Sequence, residues 1–249
     1  MEKLHSKPLI GIVGDPGAGK TRLAATAPFP YFLDTEGGAA SAVPAERIKR
    51  FNTDASILPD LKTELTRLKG LKYDPKERVI DIDFPVGCVV IDTLDAVQQV
   101  YKYTVLKPMN WGGNAMAMWG RLLDDLVPII YLIKSLPVPV IVVTHSHSVE
   151  PLYKGDNLRR AGWKGLAFQG QLEDQIMRWF DYVLHLMVIE EGERICYTQP
   201  TTVQDYKITA KDRHGLYRSL GKLFFPIKAD KDGYPETKAI TTIFDSHVW

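Results

Sequence analysis

PLIGIVGDPGAGKT, residues 8 to 21, is an apolar run that breaks on a glycine-rich turn and closes on Lys20 and Thr21. Its second half, GDPGAGKT (14–21), fits the pattern G-x-x-x-x-G-K-[S/T] at every position. It follows a strand-like run and precedes a helical one, the context in which that pattern has a physical meaning. Gly14, Asp15, Pro16, Gly17, Ala18 and Gly19 form the expected binding loop, whose glycines let backbone amides turn inward around phosphate oxygens, and the helix start adds partial positive charge. Lys20 is expected to reach the outer phosphates, the Thr21 hydroxyl to bind magnesium, and Arg22 to complete the binding segment.

Working outward, strand-like runs at PLIGIV (8–13), YFLD (31–34), VGCVVID (86–92) and VPVIVVTH (138–145) alternate with helical patterns. Ile57, Leu58, Leu61, Leu65, Leu68 and Leu71 recur at spacings of three and four, one face of a helix. Met118, Leu122, Leu123, Leu126, Ile129, Ile130 and Ile133 do the same, with Pro128 expected to bend or split that helix. Strands apolar throughout and separated by helices predict an α/β fold with a mostly parallel central sheet covered on both faces. After residue 181 the rhythm changes: DYVLHLMVI, ERICYTQ and VQDYKITAKD read as antiparallel strands extending one edge, the first two joined by EEGE. One domain over residues 1–249 is expected, with 181–249 as that extension and the charged stretch 71–84 as a surface excursion.

The 249 residues are long enough for a substantial core, and 45% hydrophobic with 24% charged is ordinary globular composition. No apolar run reaches a membrane-spanning length. The opening MEKLHSKPLIGIVG has charges but no long apolar region with a small-residue cleavage site, so no leader is expected. Cys88 and Cys196 are too few for a disulfide framework, which points to a reducing cytoplasm. A net charge of +1 requires any nucleic-acid binding to come from a local patch.

VGCVVID ends on Asp92, a carboxylate at the end of an apolar strand and the expected partner of Thr21 in holding magnesium. Hydrolysis of a bound nucleotide also needs a group that orients water in line with the terminal phosphate. The residue after Asp92 is Thr93, and the next acid is Asp95, inside a helical pattern. YFLDTEGG (31–38) is the available supplier: its strand follows the phosphate-loop helix and can lie beside the Asp92 strand, presenting Glu36 at the carboxyl end of the sheet. Asp34 is expected to cap or buttress the turn.

GDPGAGKT, FLDTEGG, VVIDTLDA and VIVVTHSH in this order resemble the RecA-like ATPase core. The DTEG tetrapeptide is similar to that of the archaeal and eukaryotic relatives of RecA, in which this glutamate activates water. With AKDRHG added, the succession most resembles the phage-encoded RecA-like ATPases of the Sak group, single-strand annealing or recombination proteins of AAA type. The resemblance spans roughly residues 8 to 215. It implies ATP and Mg2+ as cofactors, single-stranded DNA as partner and a homo-oligomer. A single-strand-binding protein and a bacterial host cytoplasm follow as further expectations. The first strand begins near residue 8 and leaves no room for the N-terminal element with which RecA docks its neighbour, so a ring and a DNA-assembled filament are both open.

Within the resemblance, Thr144 or His145 is expected to sense the terminal phosphate. Two imidazoles, His145 and His147, without nearby cysteine argue against a metal there. Lys211 and Arg213 of AKDRHG are expected to touch a neighbouring subunit's nucleotide, the alternative being a charged turn between strands. The segment 146–170 reads as a long loop carrying Lys154, Arg159, Arg160 and Lys164, with Tyr153, Trp163 and Phe168 interleaved. Cations can follow a phosphate backbone while aromatic faces stack on bases, so these cations and Trp163 form the expected DNA site. KPMNWGGNAMAMWG (107–120), with Trp111 and Trp119, resembles a second DNA loop; the alternative for all these aromatics is packing. A nucleoside or small-molecule kinase and a nucleotide-switched assembly factor with little hydrolysis are the competing readings.

Overall fold

The computed structural model describes residues 4–169, 172–189, 193–229, 235–236 and 238–248. The central sheet is built from β1 (Leu9–Gly14), β2 (Pro30–Asp34), β3 (Ile48–Arg50), β4 (Cys88–Asp92), β5 (Val140–Val149) and β9 (Tyr182–Val188). They lie in the order β3-β2-β4-β5-β1-β9, and every pairing in that series is parallel.

Two apolar clusters sandwich this sheet, and the alternation along each strand sorts its residues between them. Leu9, Val13, Leu33, Val89, Ile91, Val140 and Val142 face one side. Packed on them are α2 (Ile57–Lys69), α3 (Leu94–Tyr101), α4 (Ala115–Ser135) and α5 (Leu172–Trp179). Ile10, Ile12, Phe32, Cys88, Val90, Ile141 and Val143 face the other side. There they meet α1 (Lys20–Ala24), α6 (Leu216–Ser219) and α7 (Ala239–Ser246). Burial on both faces is the reason these strands read as unbroken apolar runs.

Helix α2 buries Ile57, Leu58, Leu61, Leu65 and Leu68, the expected face, with Leu71 packed at its end. Pro128 does not split α4, which is continuous from Ala115 to Ser135. Buried Leu122 and Leu126 before the proline and Ile129, Ile130 and Ile133 after it anchor both halves to one core. The stretch 71–84 becomes a small antiparallel meander, Tyr73–Asp74 with Val79–Asp81 and Pro85–Val86, pinned by buried Ile80 and Val86.

Segment 146–170 is not a long irregular loop. Strand β5 continues to Val149; β6 (Leu152–Lys154) and β7 (Asn157–Arg160) form a hairpin; β8 (Gly162–Leu166) returns antiparallel along the far half of β5. β8 pairs parallel with β12 (Tyr206–Ile208), which pairs antiparallel with β11 (Thr201–Val203).

DYVLHLMVI supplies β9, which pairs antiparallel with the following strand as its hairpin context implied and, on its other side, parallel with β1, so it also belongs to the parallel sheet. Its apolar side chains are buried on both faces, the environment of a central parallel strand. The antiparallel extension begins with β10 (Arg194–Tyr197) and continues through β14 (Phe224–Ala229) to β15 (Pro235–Glu236). Most of EEGE lies outside the described residues. A short strand β13 (Lys211–Asp212) pairs with the start of β9.

Candidate active site

The carboxyl ends of β1, β2, β4 and β5 converge where the strand order brings them side by side. Strand β1 ends in the phosphate loop, whose Gly17 (φ 77°) and Gly19 (φ 97°) occupy the left-handed region that favours glycine. Lys20 is 7% exposed, and its Nζ donates to the carbonyls of Gly14 at 2.9 Å and Asp15 at 3.0 Å. Burial lowers its pKa, opposed by Asp92, Asp95, Glu36 and Asp15. The ammonium is thus surrounded by acids and bonded to carbonyls, which a polyanionic ligand can replace.

Asp92 faces this ammonium from β4. It is 4% exposed, and its Oδ2 has no hydrogen-bond partner among the described residues. Burial pushes its carboxyl up to about 6; a hydrogen bond from Thr21 and the Lys20 charge oppose that, while Asp34 and Glu36 add to it. An unsatisfied buried carboxylate oxygen is costly. A hydroxyl, a carboxylate and room for phosphate oxygens and water form an all-oxygen donor set, which fits magnesium. Thr21 and Asp92 are the residues that would hold it.

Strands β2 and β4 pair with Asp34 opposite Asp92, so the turn after β2 opens beside the magnesium carboxylate. Asp34 ties that turn down: Oδ1 accepts from the amides of Glu36 (3.3 Å) and Gly37 (2.7 Å), and Oδ2 from Ala39 (3.3 Å). The Thr35 hydroxyl donates to the Thr93 carbonyl at 2.8 Å and accepts from the Thr93 amide at 2.9 Å. Glu36 is left partly exposed at the sheet edge, its Oε2 3.7 Å from the Nε2 of His145. His145 follows buried Thr144 on β5, and its Nδ1 lies 2.9 Å from Asp95 Oδ2. A cavity of about 580 Å³ opens beside Glu36, Asp95 and His145. His147 stands apart with its ring edge toward Trp163, and no group of three potential metal-ligating side chains forms among the described residues.

The expected DNA residues separate. Lys154, Arg159 and Arg160 are exposed on the β6–β7 hairpin, together with Leu152, Tyr153 and Leu158. Lys164 turns the other way: its Nζ is 3.5 Å from Asp15 of the phosphate loop and lies over the Tyr206 ring. Asp15 also accepts a hydrogen bond from Ser146. Trp163 is half-buried, its ring pressed onto Gly165, where a Cβ would come within 2.1 Å of it. It is a packing side chain and not an open stacking face. Phe168 is in the core, and the neighbouring Gln169 is stapled to α3 by Gln98. Trp111 donates to the Leu106 carbonyl at 2.6 Å, and both it and Trp119 pack on the core.

Lys211 and Arg213 also lie away from the phosphate loop of their own chain. Lys211 pairs with Val183, and three residues further along β9 Leu186 pairs with Gly14, a run of about 10 Å at strand rise. Lys211 Nζ donates to the Met177 carbonyl at 2.6 Å. Arg213 donates to the Arg178 carbonyl and to Asp181 Oδ1, the latter at 2.8 Å. Both cations thereby satisfy carbonyls at the C-terminus of α5, where the helix dipole favours positive charge.

Four residues of the site were not legible as such: Asp95 as the partner of His145, Ser146 and Lys164 on Asp15, and Arg194 beside Gly19. The Cδ and Nε of Arg194 pass 3.7 Å from where a Cβ on Gly19 would stand. All depend on strand pairing between distant segments, and Arg194 carries no local motif.

Arg22 follows Thr21 on α1. No helix among the described residues is long and apolar enough to cross a membrane. Comparison with curated proteins gives no match. Among solved structures, the chain is similar to the crystal structure of the RadB recombinase at 16% identity and a TM-score of 0.45, over 92% of this chain and 90% of that one. At that level the likeness carries no argument about activity. The model of the AAA domain family matches residues 6–214, most of the chain, and the protein belongs to that family.

Proposed function

We propose that the protein is a magnesium-dependent ATPase whose turnover is coupled to single-stranded DNA, acting in recombination or single-strand annealing of the phage type. The observation that carries the ATPase reading is the juxtaposition of a complete phosphate loop, a buried Asp92 with an unpartnered oxygen beside Thr21, and Glu36 on the adjoining strand. In this reading Lys20 exchanges its carbonyl partners for the outer phosphate oxygens. The loop amides of residues 14–21 cradle the phosphate chain, Arg22 flanks it, and Thr21 and Asp92 hold the metal. Bound magnesium neutralises charge on the phosphate oxygens. Glu36 orients the attacking water and accepts its proton.

Lys154, Arg159 and Arg160 supply the DNA surface. Lys164 and Asp15 join the strand that follows the hairpin to the phosphate loop, a direct path from polymer to nucleotide. Lys211 and Arg213 enter the scheme only across a subunit boundary, in a ring or DNA-assembled oligomer. The DNA role rests on the motif resemblance and on the basic hairpin.

ATP turnover with and without single-stranded DNA tests the proposal, using wild type, Lys20→Ala and Glu36→Gln. Lys20→Ala should lose nucleotide affinity or turnover. Glu36→Gln should bind ATP and turn over about 100- to 10,000-fold more slowly. Tight binding without wild-type turnover would support the assembly-factor reading instead, and turnover unmoved by DNA would remove the polymer from the scheme.

A further inference from the structure

Asp95 is a buried carboxylate in the first turn of α3, 5% exposed, to which neither phosphate binding nor magnesium assigns a task. It holds His145 at two points. Its Oδ1 accepts the His145 backbone amide at 3.1 Å, and its Oδ2 lies 2.9 Å from the ring Nδ1. One bond sets the end of β5 and the other sets the ring. With Nδ1 committed to Asp95, the opposite nitrogen faces Glu36 Oε2 at 3.7 Å.

We propose that His145, oriented by Asp95, is a positioning residue that aims the Glu36 carboxylate toward the water beside the terminal phosphate. The inference rests on the reading of Glu36 as the water-activating group. Three elements contribute one residue each to the chain: α3, the exit of β5 and the turn after β2. The adjoining cavity gives water access to the same point.

Only a doubly protonated ring can donate to both carboxylates at once. The charged groups facing His145 are Asp95 from α3, Glu36 from the turn after β2 and Lys20 from α1. The Asp95 hydrogen bond leads in raising the imidazole pKa above its ordinary value; burial and Lys20 oppose it, and the Asp95 and Glu36 charges reinforce it. The aimed arrangement is therefore present at lower pH and lost as pH rises through the raised imidazole pKa.

The test has two arms. In nucleotide-free protein, the His145 ring is titrated by ¹⁵N-detected NMR in wild type, Glu36→Gln and Asp95→Asn. Each substitution should lower the midpoint, because each removes a negative charge from one end of the ring; a midpoint unmoved by Glu36→Gln overturns the contact. In the second arm, Asp95→Asn and His145→Gln should each lower kcat for ATP by about 10- to 100-fold, as for a reacting group moved by about an ångström. KM should change little, His145→Gln should lose the alkaline fall of kcat, and Asp95→Asn should add nothing to Glu36→Gln. If Asp95→Asn does not fold, His145→Gln carries the same comparisons. Full turnover in Glu36→Gln overturns the base reading and this inference together. An impaired Glu36→Gln beside wild-type turnover in Asp95→Asn and His145→Gln overturns the inference alone.

Discussion

Glu173 stands where α5 meets β8, its Oε1 accepting the Leu166 amide at 3.0 Å. Burial pushes its carboxyl up to about 7, with Asp174 adding to the rise and the Leu166 bond opposing it. The sign follows from proton counts. Between about 4.5 and 7 the folded chain holds a proton that the unfolded chain has released, so this residue's contribution is full below 4.5 and is lost as pH rises through 7. Glu173→Gln keeps the acceptor and removes the ionisation. At pH 8 the variant should exceed wild type by on the order of 1 kcal/mol, since each pKa unit is about 1.4 kcal/mol and partial exposure screens much of it. Near pH 4.5 the advantage should vanish. Urea melts of both proteins at the two pH values decide the matter, and a pH-independent difference would show that Glu173 does not titrate in this window.

The hairpin β6–β7 and helix α2 show how differently two elements depend on their surroundings. The hairpin is held to the body by the Tyr153 hydroxyl, which donates to Asp205 at 2.6 Å, while its cations stay in solvent. Arg159→Ala/Arg160→Ala should leave the melting temperature nearly unchanged, weaken single-strand binding and flatten its salt slope by about 0.7 for each phosphate no longer neutralised. Trp163→Ala belongs with the fold: it removes packing over Gly165 and should lower stability more than DNA affinity. An unchanged salt slope in the double variant would remove the hairpin from the DNA site. Helix α2 stays in place through its apolar stripe, so Leu65→Ala, at a fully buried position, should cost about 2–5 kcal/mol in denaturant unfolding.

At the scale of the molecule, Lys211 and Arg213 cap α5 at the end of the sheet away from the phosphate loop. If they serve a nucleotide, they serve a neighbouring copy's, since β9 stands between them and their own phosphate loop and a further offset of about 10 Å runs along that strand. Mixing Arg213→Ala with Glu36→Gln subunits creates some interfaces with both groups intact, and ATPase activity should partly return in the mixture. A verified mixed oligomer without any return would leave the two cations as helix caps only.

Much of this architecture was legible in residue order because its causes are local. GDPGAGKT specifies its turn through its glycines, the α2 stripe specifies a helix through its spacing, and apolar runs specify strands buried on both faces. Asp34 as the buttress of the turn after β2 followed from its place before TEGG, and the pairing of β2 beside β4 was open to inference. Other features were misread where local composition pointed away from the tertiary environment. A glycine- and cation-rich segment looked like a loop until β5 offered it a pairing edge, and a strand correctly read as antiparallel to β10 also joins the parallel sheet through β1. The site's finer chemistry was decided only in three dimensions. Asp95 meets His145 across 50 residues, and Lys164 points to Asp15, away from the cations of the hairpin, because β8 returns along β5. Local pattern determines what a segment becomes; which side chains then meet depends on strand order and register, set by the burial of both sheet faces at once.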